Sequence, residues 1–214
     1  MLLTEFDANR QAIINPEALH EPLEGFPKIA VSCFSRLTFQ RMLEMFPHEL
    51  IYETSMANVA IPIYKLVIDD NELAIFNAPV GSSACVGILE DIFVLGADKL
   101  VLFGTCGVLD EDIKETSIII PSHALRDEGT SFHYVEASDE IAVNVGVLDH
   151  FRSYLNERQI SHKEGKVWTT DGIYRETNGK LKARKAAGAI CVDMECSAVA
   201  ALAKFRGVDI CHFF

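Results

Sequence analysis

Apolar and polar positions along the chain follow two rhythms. Runs that are apolar almost throughout, KIAVSCF (28–34), KLVLFG (99–104) and TSIIIPSHAL (116–125), predict short strands buried on both faces. Pro121 marks an end or a bulge in the last of these. VAIPIYKLVI (59–68) and ELAIFNAPV (72–80) predict a hairpin turning on Asp69-Asp70-Asn71. HKEGKVWTTD (162–171) predicts a strand running into a loop, and AGAICV (187–192) a short strand or the approach to a helix. Helical spacing appears in LTFQRMLEMF (37–46), which stops at Pro47, and in SSACVGILEDIFVLG (82–96), closed by Gly96. It also appears in a long amphipathic stretch, EIAVNVGVLDHFRSYLNERQI (140–160), in a short helix beginning at 180–185, and in VDMECSAVAALAKF (192–205). The first 27 residues hold three prolines and predict an irregular lead-in with one short helix.

Strands alternating with helices, several of them apolar throughout, predict an α/β fold around a largely buried mixed sheet. The chain of 214 residues is expected to form a single domain, 1–214, with no internal repeat or linker. It closes on VDICHFF, which reads as a core strand with nothing after it, so the expectation is a domain lacking a C-terminal segment.

Composition narrows the partners. Hydrophobic residues make up 49%, enough for a large core and against disorder. The net charge of −12 argues against nucleic acid and against an anionic membrane surface, both of which need a basic footprint. The start, MLLTEFDANR, does not read as a signal peptide, and the uncharged stretch 73–89 is broken by Asn77, Pro79, Gly81 and Gly87. Six scattered cysteines without a CxxC or Cys/His ligand spacing argue against zinc and fit free thiols in a reducing cytoplasm.

Four places carry candidate chemistry. In APVGSSACVGILEDI (78–92) a strand runs through Gly81 into a helix, whose free N–H groups favour an anion; an ordinary capped turn explains the same residues. In FGTCGVLDEDI (103–113) glycines bracket Thr105 and Cys106 after a buried strand, where ligands of α/β proteins bind; a tight turn is the alternative. SHALRDEGTSFHY (122–134) concentrates Arg126, Asp127, Glu128, Thr130, Ser131, His133 and Tyr134, more polar function than a turn needs, although a solvated loop with salt bridges would also look so. The fourth is the pair Asp193 and Glu195. Helix capping explains Asp193. It explains Glu195 less well, because Glu195 shares a stripe with Val199 and Leu202, and a buried carboxylate needs donors. A ligand diol would supply two.

The order of GSSACVGILEDIFVLGAD, FGTCGVL, RDEGTSFHY, TTDGIY and VDMECSAVAALA resembles the nucleoside phosphorylase family that includes uridine phosphorylase, purine nucleoside phosphorylase and the adenosylhomocysteine nucleosidases. The resemblance covers residues 28–214. It implies a three-layer α/β/α sandwich with a mixed, partly barrelled central sheet, assembled as a homo-oligomer, hexameric or dimer-based. It also implies that Glu195 accepts hydrogen bonds from the 2′ and 3′ hydroxyls of ribose while Met194 packs against the sugar. Gly104 and Thr105 match the phosphate segment, and Ile173 and Tyr174 the base pocket.

The sequence departs from that pattern in three places. The family's GDPxR phosphate loop is replaced by SCFSRLT, leaving Ser35 and Arg36 as substitutes. The arginine two residues before Gly-Thr is Leu102, for which Arg126 or a neighbouring subunit's arginine would compensate. After TTDGIY, Arg175 and Glu176 stand where uridine phosphorylases read uracil, as a different base reader or a simple salt bridge. The expectation is therefore a cytoplasmic, uridine phosphorylase-like pentosyltransferase that uses a nucleoside and inorganic phosphate, with no metal or organic cofactor. Glu195 and Arg126 are its catalytic candidates, and the base, uracil or purine, stays open. A hydrolytic nucleosidase of the same fold and a non-catalytic nucleoside-binding protein are the alternatives.

Overall fold

The computed structural model describes residues 2–114 and 117–214. The predicted strand start at Thr116 lies outside the described residues. The chain divides into two compact units. One comprises residues 9–80 and 84–104, the other residues 2–8, 81–83 and 105–214 except for the undescribed pair.

In the first unit, strands β1 (Ile29–Cys33), β2 (His48–Met56), β3 (Val59–Ile68), β4 (Asn71–Asn77) and β5 (Lys99–Phe103) lie in the order β5-β1-β4-β3-β2. β1 is parallel to both β4 and β5, whereas β2, β3 and β4 form an antiparallel meander. The hairpin predicted between 59–68 and 72–80 is present, and Asp69 and Asp70 both take positive φ to make its two-residue turn. β2 has no counterpart in the predicted elements. Five of its nine residues are exposed, so no apolar run marks it. Helices α1 (Arg36–Met45) and α2 (Ser82–Leu95) form where predicted.

The second unit holds β6 (Gly107–Val108), β7 (Ile118–Asp127), β8 (Glu140–Ala142), β9 (His162–Thr170), β10 (Ala189–Asp193) and β11 (Asp209–Phe213). The first five of these are ordered β6-β10-β9-β7-β8, with β7 and β10 both parallel to β9. The ladder slips between Pro121 and His123, the bulge expected at that proline. Trp168 of β9 is fully buried, and its indole N–H donates to Asp127 at 2.9 Å. The same carboxylate accepts from Lys180 and Arg184 of α4 (Asn178–Ala186), which ties that helix to the ends of the strands.

Two predicted helices are corrected. The long helix over 140–160 is a strand, a turn and a shorter helix, α3 (Leu148–Glu157). Asn144 breaks it: φ is +56°, and its amide donates to the carbonyls of Pro121 and His212 while its oxygen accepts the His212 N–H. Ile141 and Ala142 pair with β7 instead of coiling. The helix expected over 192–205 begins later, as α5 (Cys196–Arg206), because Val192 and Asp193 complete β10 and Met194 and Glu195 turn the chain. Cys196 to Leu202 are all buried, so small side chains here reflect burial on every side and not one packed face. The α/β class with mixed sheets stands as predicted.

Candidate active site

The turn from β10 into α5 is built from its backbone donors outward. A helix leaves its first N–H groups without intrahelical acceptors, and burying them bare is costly. Asp193 accepts two in this turn: its Oδ2 takes the N–H of Glu195 at 2.9 Å and of Cys196 at 2.6 Å. The Ser197 N–H donates to Thr169 Oγ1 of β9 at 3.1 Å, and the Thr169 hydroxyl donates to Asp193 Oδ1 at 2.7 Å. Asp193 is therefore the cap, as its position suggested.

Glu195 occupies the N-cap position but does not cap; no N–H of α5 bonds to its side chain. Glu195 is 5% exposed, and its Oε1 accepts the Gly81 N–H at 2.5 Å. The adjacent Ser82 hydroxyl donates to the carbonyl of Met194 at 2.6 Å. Gly81 has φ of +102°, a conformation costly for any residue with a side chain, and that backbone geometry carries the N–H that Glu195 meets. The anion that the Gly-Ser turn favours is thus the protein's own glutamate.

Electrostatics set this pair apart. Burial pushes the Asp193 carboxyl up to about 6, against the lowering effect of its bonds from Thr169, Glu195 and Cys196. Burial, and next the Asp193 charge, push Glu195 up to about 7, with the Gly81 N–H working the other way. Two neighbouring acids with separated environments are a common mark of functional sites. The Glu195 carboxylate takes the Gly81 N–H on Oε1, and a carboxylate can accept several bonds, so a diol would add to its bonding.

The other candidate residues are placed differently. Met194 is half-buried beside Glu195. Arg126 is buried near the end of β7, but its donors are taken up by the segment that follows the strand, by Ser131 Oγ at 2.8 Å, the Glu136 carbonyl at 2.7 Å, Ser138 Oγ at 2.9 Å and the Val135 carbonyl at 3.4 Å. Its guanidinium also stacks 4.1 Å from the Phe132 ring centroid. That is the geometry of a loop clamp, and it supports no chemical step for Arg126. Ser35 caps α1, its hydroxyl oxygen accepting from the Thr38 N–H at 3.2 Å, and Arg36 opens that helix exposed. Gly104 is required by packing in its own unit: a Cβ there would meet the Phe34 ring at 2.8 Å. Thr105 is exposed in the following loop. Ile173, Tyr174 and Arg175 form an exposed 3₁₀ turn, with Glu176 exposed after it.

Three supporting residues were not singled out by the sequence for this role: Gly81, Thr169 and Ser197. Only Gly81 left a signal, through the Gly-Ser turn that opens α2. Thr169 and Ser197 are ordinary strand and helix residues until the fold brings them together. Among the described residues no three His, Cys, Asp or Glu side chains group so as to hold a metal ion, and no helix is long and apolar enough to cross a membrane.

Residues 28–213 match the family model of the phosphorylase superfamily. The chain is 23% identical over 148 residues to the guanosine phosphorylase of Halorubrum lacusprofundi, covering 68% of this chain and 61% of that one. It spans about half to three-fifths of the length of the curated relatives it matches. Its fold matches uridine phosphorylase from Vibrio fischeri with a TM-score of 0.80 at 18% identity, over 95% of this chain and 84% of that one. It also matches AMP nucleosidase from Bacteroides thetaiotaomicron with a TM-score of 0.76 at 17% identity, over 89% and 81%. At such identities these two likenesses speak to fold alone.

Proposed function

Because the chain belongs to the phosphorylase superfamily, we propose that it is a nucleoside phosphorylase, cleaving the N-glycosidic bond of a nucleoside with phosphate to give free base and ribose 1-phosphate. One observation carries the reading. Asp193 satisfies the first N–H groups at the start of α5, so Glu195 is a buried carboxylate with no capping duty, its Oε1 accepting the Gly81 N–H. In this reading Glu195 accepts the ribose 2′ and 3′ hydroxyls and Met194 packs against the sugar. The negative charge beside the ring also favours the positive charge that develops on the sugar as the bond to the base breaks.

Ser35, Arg36, Gly104 and Thr105 are proposed as phosphate contacts on motif order alone. Ile173, Tyr174, Arg175 and Glu176 are proposed as the base side. The protein is proposed to act in the cytoplasm as a homo-oligomer, with phosphate as co-substrate and no metal or organic cofactor. Hydrolysis is the second reading. It is favoured by the SCFSRLT segment, which lacks the phosphate loop.

The test is release of free base from uridine, thymidine, inosine, adenosine and methylthioadenosine, with and without phosphate. Phosphate-dependent release is expected and names the base at once. Equal release without phosphate assigns the nucleosidase instead, and binding without release assigns a nucleoside-binding protein.

A further inference from the structure

Behind the α5 start lies a buried acid that the proposed chemistry does not use. Glu128 follows β7 and is 5% exposed. Its Oε1 accepts the Ser197 hydroxyl at 2.9 Å, and its Oε2 accepts the Ser131 N–H at 2.9 Å. Ser131 in turn accepts from Arg126. The Ser197 N–H then leads to Thr169, and the Thr169 hydroxyl to Asp193. A serine or threonine hydroxyl has one hydrogen to give. That of Ser197 is spent on Glu128 and that of Thr169 on Asp193. The donor order is therefore fixed: each end of the chain presents an acceptor, and the first turn of α5 is held between them.

We propose that Glu128 is a positioning residue for Glu195, anchoring the first turn of α5 through Ser197 so that the Glu195 carboxylate keeps its place. The inference rests on the reading of Glu195 as the sugar-binding carboxylate. Ser197 lies two residues beyond Glu195. A turn released from Glu128 can rotate or fray at the point where Glu195 must face both Gly81 and a ligand. Glu128 also acts at a distance, because its charge raises Asp193 and the Asp193 charge raises Glu195. The ionisable groups facing this end of the unit include Arg126 near the end of β7, Glu128 just beyond it, Asp171 after β9 and Cys191 and Asp193 of β10. Glu195 and Cys196 at the α5 start and Cys106 before β6 belong with them.

Two variants separate position from charge. Glu128→Gln keeps the size of the side chain and removes the charge and one acceptor. Ser197→Ala cuts the link and leaves the charge. Each is read by nucleoside KM and kcat and by an NMR titration of the aspartate and glutamate carboxyl carbons. Both variants are expected to raise KM by roughly three- to tenfold, the worth of one ordinary hydrogen bond. Glu128→Gln alone is expected to lower the Asp193 titration midpoint, which a purely structural role would not do. Wild-type KM in both variants, or an unmoved Asp193 in Glu128→Gln, overturns the inference. If Glu128→Gln does not fold, Ser197→Ala decides through KM. If the wild-type protein neither binds nor cleaves any nucleoside, the sugar-site reading fails on its own. The carboxyl titrations then still decide whether Glu128 governs the Asp193–Glu195 pair.

Discussion

The β10–α5 turn and the 3₁₀ turn at Ile173–Arg175 are built on opposite principles. In the first, Asp193, Glu195 and Ser197 are buried and bonded through Thr169, Glu128 and Gly81. In the second, Tyr174 is 93% exposed and Ile173 56%, and no buried residue lies among the three. A buried polar network is costly to assemble and fixes geometry once it is satisfied. An exposed turn fixes little but tolerates change. If the sugar lies at the first and the base at the second, the part shared by every nucleoside meets the rigid region and the part that varies meets the adaptable one.

The largest test of that contrast is Glu195→Gln. Loss of a charged acceptor costs about 1.5–3 kcal/mol of sugar interaction, or roughly 10- to 150-fold in kcat/KM. Stability should move the other way. The folded Glu195 carboxyl sits near 7, above its ordinary 4.5, so between those values the folded protein holds the proton more tightly than the unfolded chain. The contribution of Glu195 therefore favours folding at low pH and is lost as pH rises from about 4.5 to 7. Glu195→Gln removes that slope. Thermal melts are expected to show the variant more stable than wild type at pH 8, by about 1–3 kcal/mol, with the two converging near pH 4.5. A variant less stable at pH 8 would mean that the carboxylate is structural.

If Glu195 holds the sugar, the same group sets the pH dependence of activity. Sugar hydroxyls donate to the ionised form, so kcat/KM is expected to fall about tenfold per pH unit below an acid limb near pH 7. In Glu195→Gln that limb should vanish. Next in size is Thr169→Val, which removes the acceptor for the Ser197 N–H and the donor to Asp193 while keeping shape. A buried network left partly unsatisfied costs about 1–3 kcal/mol. A melting temperature lowered accordingly is the expected result, with kcat/KM following as α5 loosens.

What the sequence discloses differs along the same line. The hairpin at 59–77, both helices of the first unit, and β5 and β9 are legible because turn residues and apolar runs act locally. The long helix over 140–160 misleads because its break depends on Asn144 reaching Pro121 and His212, partners 23 and 68 residues away in sequence. The roles of Asp193 and Glu195 are half legible: a cap is a local motif, so Asp193 reads directly. The special status of Glu195 shows only as a conflict, an acid on an apolar stripe, until the fold brings Gly81 to it. Arg126 misleads in the opposite sense. An arginine in a polar stretch suggests anion binding, yet its donors close on the segment that follows its strand. Nothing in residue type announces which acceptors a loop will fold back to offer.

The smallest expected effect is at the exposed turn, and it sharpens the contrast most. Tyr174→Ala removes a ring that contributes almost nothing to the core, so its stability should stay within about 0.5 kcal/mol of wild type. If the turn only frames the base, kcat/KM should change by different factors for uridine and inosine, while the acid limb near pH 7 stays in place because Glu195 is untouched. A uniform loss for both nucleosides would place Tyr174 with the sugar or with the shared chemistry, and the division between a rigid sugar region and an adaptable base region would then fail. A change in the ratio without a shift of the limb would locate selectivity at the surface of the protein, on a turn that can vary without disturbing the network that holds Glu195.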